Sequence, residues 1–334
     1  RGERRRPEER ADERRAAGEF VRGVSGFRHA IGDADFPAEA GRYHLFVALN
    51  CPWCHRVTLA RSVLGLSESS TMDVAFSNRT EEDDPAGEGL WQFAPALKAS
   101  LTGAPLPECT EETGTGHGLR LAVEIYGAEG GKERSLPILY DKLAGRIVSN
   151  ESAEILRMFS AHAVAMGGEG DLYPGHLRNE IDALNAQIYV AINNGAYKAG
   201  FSSDQASYAA AFKAYFNALS DLNERLADGR PFLTGDTFTE ADLRLFPTLY
   251  RHDPIYYVRM KLNGARILDY PHLWRWLCRV YTLPGVAEAG SLIHCAQGYF
   301  GRTWNRTVPL GPIHPMTYPD AYLHPELASP PARP

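Results

Sequence analysis

Cys51 and Cys54, in a Cys-Pro-Trp-Cys run, are the side chains of this sequence best suited to covalent chemistry. An apolar, strand-like segment ends at Leu49, and apolar residues with helical spacing follow from Val57. We therefore expect Cys51 at a strand-to-helix turn, where unpaired N–H groups and the helix dipole favour an anion. Such a position lowers the pKa of a thiol from about 8.5 toward 7, which gives a thiolate near neutral pH. The pattern favours redox or thiol-transfer chemistry over a buried packing cysteine.

A Ser-Leu-Pro segment ending at Pro137 precedes another strand-like run. A strand-CxxC-helix unit followed by a strand entered through X-Pro is the thioredoxin-like arrangement. In that arrangement the residue before a cis-proline, here Leu136, offers its backbone N–H and C=O to a peptide-like ligand. The alternative for Pro137 is an ordinary trans proline at the start of a strand.

Glu151 and Ser152 follow the next strand and begin a predicted helix. The Ser152 hydroxyl and the N–H groups of a helix N-terminus suit a ligand carboxylate, while Glu151 suits an ammonium. A carboxylate beside an ammonium is the γ-glutamyl end of glutathione. A capping box alone would explain Ser152, but it would not explain the cysteine, the proline and the Glu-Ser pair together.

Short strands alternate with helices in the first half of the chain, and helices alone follow. The predicted strands are Tyr43–Leu49, Met72–Phe76, Ser135–Tyr140 and Arg146–Ser149, and the helices between and after them are Pro52–Leu64 and Asn150–Phe159. Helical spacing then marks Arg178–Asn193, Gln205–Leu226, a segment capped by Thr239 with Asp242, Leu273–Tyr281 and pieces of Val286–Phe300.

This layout predicts an α/β thioredoxin-like N-terminal domain followed by an all-α C-terminal domain. We expect an N-terminal extension at 1–40, whose Arg- and Glu-rich start is a solvated helix or a disordered tail. The thioredoxin-like domain spans 41–162 and contains a long loop at about 79–118. The all-helical domain spans 170–300, and an irregular tail spans 301–334.

Composition restricts the classes of function. The chain has 334 residues, a net charge of −6 and five scattered cysteines, so we expect no nucleic-acid partner and no disulfide framework. One CxxC without a second nearby pair argues against a metal site. No apolar run is long enough to cross a bilayer, and the charged start predicts no signal peptide. We expect a cytoplasmic protein that does not bind membranes, with an organellar stroma or matrix as the alternative.

Four further segments make the chain resemble the xi class of glutathione transferases, the glutathionyl-hydroquinone reductases. They are Ile147–Phe159, the Asn-Asn-Gly-Ala-Tyr-Lys-Ala-Gly-Phe run at 193–201, the Thr-Glu-Ala-Asp helix start at 239–246, and Arg251–Tyr256. The resemblance extends from about Phe20 to about Gly311. It implies a thioredoxin-like domain joined to the all-helical glutathione-transferase domain, glutathione as co-substrate, aromatic hydroquinone conjugates as substrates, no metal, and a homodimer.

The resemblance also implies the roles of individual residues. Cys51 is the nucleophile, and three tyrosines surround the acceptor pocket as catalytic residues: Tyr197, Tyr256 and Tyr299. The residues implied to bind glutathione are Trp91, Leu136, Pro137 as the cis-proline, Glu151 and Ser152.

Cys54 departs from the family pattern, which has alanine at this position. It is a candidate resolving thiol, as in dithiol glutaredoxins, or a small packing residue in place of the alanine. The function we expect is removal of glutathione from glutathionyl-hydroquinones through a mixed disulfide on Cys51. The alternatives are a glutaredoxin-like or dehydroascorbate-reducing enzyme that uses both thiols, and a non-enzymatic, glutathione-transferase-like binding or structural protein.

Overall fold

The computed structural model describes most of the chain, which divides into two compact units. A sheet unit comprises Ser25–Arg178 together with the described residues from Arg279 onward, and a helical unit comprises Asn179–Cys278. The described residues are 23, 25–93, 101, 106, 109–110, 113–115, 117–303 and 305–309.

A mixed four-stranded sheet forms the centre of the sheet unit. Its strands are β1 (Tyr43–Val47), β2 (Thr71–Val74), β3 (Ile138–Asp141) and β4 (Arg146–Ser149), in the spatial order β2-β1-β3-β4. β1 pairs parallel with β2 and antiparallel with β3, and β3 pairs antiparallel with β4. Every residue of β1 is buried, as expected for a strand covered on both faces.

Three helices of the sheet unit lie between its strands or directly after them in the chain. They are α1 (Pro52–Val63), α2 (Ala122–Gly127) and α3 (Ser152–His162). The predicted helix after Cys51 is confirmed, with Pro52 in its first turn where a missing N–H costs nothing. It ends before Gly65, whose φ of +68° is a conformation that glycine adopts without strain. α2 was not predicted from the sequence.

The helical unit contains α4 (Arg178–Gln187), α5 (Asn194–Phe201), α6 (Gln205–Arg225), α7 (Glu240–Arg251), the short α8 (Tyr257–Arg259) and α9 (Pro271–Tyr281), of which α4 and α9 cross the unit's limits. Two wider turns of π-helix, Ile188–Asn193 and His252–Tyr256, connect α4 to α5 and α7 to α8. The predicted helix at Arg178–Asn193 is thus α4 plus a π-helical turn. The predicted cap of α7 is confirmed, because the Asp242 carboxylate accepts a hydrogen bond from the Thr239 N–H at 3.1 Å.

The last helix of the described residues, α10 (Leu292–Phe300), belongs to the sheet unit. The compact units therefore group residues differently from the predicted domains, which assigned 170–300 to one helical domain. The domain limits stay a prediction. The expected extension and tail fall largely on residues 1–22 and 310–334, outside the described residues, and part of the predicted loop at 79–118 lies outside them too.

Candidate active site

The Cys51 thiol lies where the sequence predicts it, at the N-terminal end of α1. Cys51 has extended backbone angles and is the residue that precedes the helix, and its Sγ is 3.9 Å from the carbonyl oxygen of Leu136. The peptide bond between Leu136 and Pro137 is cis, as predicted. The cysteine side chain and the backbone that would bind a peptide-like ligand are therefore adjacent within one unit.

α10 packs directly against the turn that carries Cys51. The Sγ of Cys295 is 3.8 Å from the Leu49 carbonyl oxygen, and a methyl group placed on Gly298 would lie 2.0 Å from Nδ2 of Asn50. Glycine at position 298 therefore permits the close approach of the helix to the residue before Cys51. Tyr299, half-buried, is the next residue of the same helix.

Glu151 and Ser152 form the start of α3, as predicted. One carboxylate oxygen of Glu151 accepts a hydrogen bond from the Ala153 N–H at 3.1 Å. The other accepts one from the Ser25 hydroxyl at 3.1 Å. Ser152 is buried, with 3% of its surface exposed, so its hydroxyl lies beneath the surface of the turn.

Tyr126, on α2, connects the two backbone segments of the candidate glutathione site. Its hydroxyl donates to the Ser135 carbonyl at 3.0 Å and accepts from the Asn150 side-chain amide at 3.1 Å. Burial raises the pKa of Tyr126 to about 12, so the phenol keeps its proton. Sequence reasoning missed this residue because the short α2 has no strong periodic pattern, and an isolated tyrosine gives no signal.

Trp91, also predicted to bind glutathione, is a buried side chain that packs against an arginine. Its side chain is 4% exposed, and the Arg79 guanidinium stacks on its ring at 4.1 Å from the centroid. Its carbonyl oxygen accepts a hydrogen bond from the Ala122 N–H at 3.0 Å, which ties it to the start of α2. Contact of Trp91 with glutathione stays a prediction, and the exposure of 4% leaves little of this residue open to a ligand.

Two of the three predicted acceptor-pocket tyrosines meet in the helical unit. The rings of Tyr197, on α5, and Tyr256, at the end of the second π-helical turn, pack edge to face with centroids 6.3 Å apart. Tyr197 is half-buried and Tyr256 is fully buried. Tyr299, the third, belongs to the sheet unit.

His252 and Asp253 hold the π-helical turn that ends at Tyr256. His252 hydrogen bonds through Nδ1 to the Tyr215 hydroxyl at 2.8 Å and through Nε2 to the Ala265 carbonyl at 2.9 Å. Asp253 accepts from the Ile267 N–H at 2.6 Å. Burial lowers the pKa of His252 to about 4 and raises that of Asp253 to about 7. The His252-Asp253 part of this motif is therefore a structural support for Tyr256.

Cys54 lies on α1 one turn after Cys51, and its side chain is fully buried. This burial fits a small packing residue better than a thiol that exchanges with substrates. We expect Cys54→Ala to retain most glutathionyl-hydroquinone reductase activity and to lose any activity that requires an internal disulfide.

Mass spectrometry of the oxidised wild-type protein provides the check on Cys54. A glutathione adduct on Cys51 alone would rule out the dithiol role, whereas a Cys51–Cys54 linkage would support it. Loss of turnover in Cys54→Ala would contradict the monothiol mechanism and would favour a glutaredoxin-like reaction.

Metal-binding groups and membrane-spanning helices were both sought in the described part of the chain. No group of three or more His, Cys, Asp or Glu side chains there is arranged to hold a metal ion. Within the same residues, no helix combines the length and apolar character needed to cross a bilayer.

Comparison with known proteins shows which class of proteins this chain resembles. The family model for the glutathione S-transferase C-terminal domain matches residues 205–279. The glutathione-bound structure of YqjG, a glutathione transferase homolog from Escherichia coli K-12, aligns with a TM-score of 0.77 and 34% identity, covering 90% of this chain and 97% of the other. A thioredoxin-like sheet unit with a helical unit of this type defines a glutathione transferase.

Similarity to two further proteins shows to which class of glutathione transferases this chain belongs. The chain is 37% identical to the glutathionyl-hydroquinone reductase PcpF of Sphingobium chlorophenolicum over 91% of this chain and 93% of that protein. It aligns with the glutathione S-transferase Xi of Phanerochaete chrysosporium with a TM-score of 0.76 and 34% identity, over 88% and 98% of the two chains. The chain belongs to the xi-class glutathione transferases, the family of the glutathionyl-hydroquinone reductases.

Proposed function

We propose that this protein removes glutathione from glutathionyl-hydroquinones, with glutathione as the reductant and glutathione disulfide and hydroquinone as products. PcpF and the YqjG protein of E. coli, to which this chain is 35% identical, both carry the name glutathionyl-hydroquinone reductase. The observation that carries the proposal is the Cys51 thiol at the start of α1, beside the Leu136 carbonyl. A cysteine in this position favours removal of glutathione, since a transferase that adds it uses a serine or tyrosine hydroxyl.

In the first step, the Cys51 thiolate attacks the sulfur atom of the conjugate. A sulfur–sulfur bond forms to glutathione while the bond between that sulfur and the aromatic carbon breaks. The carbon takes the electron pair and is protonated, which releases the hydroquinone. Tyr197, Tyr256 and Tyr299 are the proposed sources of this proton and of contacts to the aromatic diol, because a phenol can both stack and donate a hydrogen bond.

In the second step, the thiolate of a second glutathione attacks the mixed disulfide on Cys51. Glutathione disulfide leaves, and the Cys51 thiolate is restored. Leu136 and Glu151 are proposed to bind the cysteinyl and γ-glutamyl parts of glutathione in both steps, with Pro137, Ser152 and Trp91 completing the site. The same residues thus hold the glutathionyl group as it arrives and the glutathione that removes it.

The test is incubation of the protein with a glutathionyl-menadiol conjugate and, in parallel, with a glutathionylated disulfide substrate. We expect rapid release of the quinol and one glutathione disulfide per turnover. Reduction of the disulfide substrate alone would instead support the glutaredoxin-like alternative, for which the position of Cys54 in the Cys-Pro-Trp-Cys run is the supporting observation. Binding of glutathione without either reaction would support a non-enzymatic protein.

Glu151 provides a test of how glutathione binds. Glu151→Ala removes the proposed partner of the γ-glutamyl ammonium, and losing a charge-assisted hydrogen bond should cost roughly 1.5–3 kcal/mol of binding free energy. We expect calorimetry to show glutathione affinity reduced by about tenfold or more, with no change in the rate at which a small reagent alkylates Cys51. Glu68→Ala, which changes an exposed glutamate of the same unit, is the control. Unchanged affinity in Glu151→Ala would remove Glu151 from the site.

The assembly and cellular location of the protein belong to the same proposal. The family resemblance predicts a homodimer, and the scattered cysteines fit a reducing compartment such as the cytoplasm. Light scattering of the purified protein tests the first prediction.

A further inference from the structure

Residues 25–29 run along the open edge of β4, next to the Glu-Ser turn. The His29 N–H donates to the Val148 carbonyl at 2.9 Å, and the Asn150 N–H donates to the Phe27 carbonyl at 3.1 Å. Arg28 and Ser149 are antiparallel partners. We call residues 25–29 the edge segment. It adds backbone pairing to β4 where that strand leads into α3.

Side chains strengthen this attachment close to Glu151. The Phe27 N–H also donates to the Asn150 side-chain oxygen at 3.3 Å, and the Phe27 ring packs on Tyr126 with centroids 5.5 Å apart. Arg28 forms an ion pair with Glu154, in the first turn of α3. The position of the edge segment is therefore determined by several contacts on both sides of Glu151.

The first residue of the edge segment, Ser25, contacts Glu151 directly. The Ser25 hydroxyl donates to one Glu151 carboxylate oxygen at 3.1 Å, and the Ala153 N–H donates to the other oxygen at 3.1 Å. Each oxygen of a carboxylate has two lone pairs, so both keep an acceptor position for a further donor. Two donors from different segments fix the plane of the carboxylate before any ligand arrives.

We infer that Ser25 is a positioning residue of the glutathione site, which orients the Glu151 carboxylate toward the ammonium of the γ-glutamyl group. The inference rests on the proposed function, because it assigns Glu151 to glutathione. A carboxylate held in its binding geometry loses less conformational freedom when the ligand binds. The opposite effect, competition between the Ser25 hydroxyl and the ammonium for one oxygen, predicts tighter binding when the hydroxyl is removed.

The experiment is a double-mutant cycle in the full chain with Ser25→Ala, Glu151→Ala and the double variant. The readouts are the KM for glutathione, kcat at saturating glutathione, and the rate of Cys51 alkylation by iodoacetamide. We expect Ser25→Ala to raise KM about three- to tenfold, the range for the net loss of one hydrogen bond, with kcat and alkylation unchanged. Because Ser25 acts through Glu151, the double variant should have the KM of Glu151→Ala alone.

Two further variants separate positioning from a general effect on folding. Ser25→Thr keeps a hydroxyl at the same position and should restore most of the wild-type KM. Ser220→Ala removes a hydroxyl that makes a 3.0 Å hydrogen bond to the Phe216 carbonyl in the helical unit. We expect it to leave the KM for glutathione unchanged.

The outcomes distinguish the inference from the function on which it rests. An impaired Glu151→Ala with an unaffected or tighter-binding Ser25→Ala overturns the inference alone. Independent, multiplicative effects of the two substitutions also overturn it, because Ser25 would then act without Glu151. A wild-type KM in Glu151→Ala overturns the assigned role of Glu151 and the inference together.

Discussion

Cys51→Ser is expected to reduce glutathionyl-hydroquinone reductase activity below detection while leaving the fold and glutathione binding intact. A serine hydroxyl is not ionised near neutral pH, and an oxygen at this position cannot form the mixed disulfide that the second glutathione must reduce. The substitution exchanges one small atom at a half-buried position, so we expect unfolding to occur at the wild-type temperature. Quinol release and glutathione disulfide formation measure the activity, and calorimetry measures the binding.

Cys109→Ser is the matched control, because Cys109 is also a half-buried cysteine of the sheet unit. It should keep wild-type turnover. Turnover in Cys51→Ser that matches the Cys109→Ser control would contradict the mechanism, since no other residue has been assigned the nucleophilic role. A glutathione adduct detected by mass spectrometry on wild-type protein and absent from Cys51→Ser would support it independently.

The sequence was most informative where a local pattern has a local physical cause. The cysteine before α1, the proline before β3 and the Glu-Ser start of α3 each involve only neighbouring residues, and all three were predicted at the right positions. β1 was predicted two residues too long, because Leu49 is apolar and buried although pairing of the strand ends at Val47. Similarly, β3 begins only after Pro137, whose nitrogen carries no hydrogen for strand pairing.

Contacts between segments distant in sequence could not be predicted in this way. Tyr126 bridges Ser135 and Asn150, and Ser25 contacts Glu151 from 126 positions away. The approach of Gly298 to Asn50 joins a helix near the end of the described residues to the turn that carries Cys51. Each of these residues has an ordinary sequence context, because its role arises from the fold and not from its neighbours. Sequence patterns therefore predict the chemically distinctive side chains of the candidate site, but they do not predict the contacts that support those side chains.

Asp242 takes part both in a contact that the sequence predicts and in contacts that only the fold reveals. The sequence predicted its bond to the Thr239 N–H at the start of α7, and the structure adds two N–H donors from residues outside that capping box. Its other carboxylate oxygen accepts from the Leu233 N–H and from the Trp276 indole N–H, both at 2.8 Å. Asp242 and Trp276 are buried. Burial raises the pKa of Asp242 to about 6, so the carboxylate is largely ionised at neutral pH.

Asp242→Ala is therefore expected to destabilise the helical unit strongly. It leaves three buried N–H groups without an acceptor and removes the capping-box carboxylate of α7, which together should cost roughly 3–5 kcal/mol of unfolding free energy. Because the entropy of unfolding grows with chain length, for 334 residues this corresponds to a fall of about 4–7 °C in the midpoint of thermal unfolding, measured by circular dichroism. Asp242→Asn, which keeps one carbonyl oxygen, should lie between the alanine variant and the wild type.

Asp221→Ala, at an exposed position of α6, is the control and should shift the midpoint by no more than about 1–2 °C. α7 leads directly into the π-helical turn that carries Tyr256, so loss of the cap should also disturb that tyrosine. At a temperature where Asp242→Ala is still folded, we expect a lower kcat for hydroquinone release with unchanged glutathione affinity. A variant as stable as Asp221→Ala would show that the three donors find other acceptors and that the buried carboxylate does not stabilise this unit.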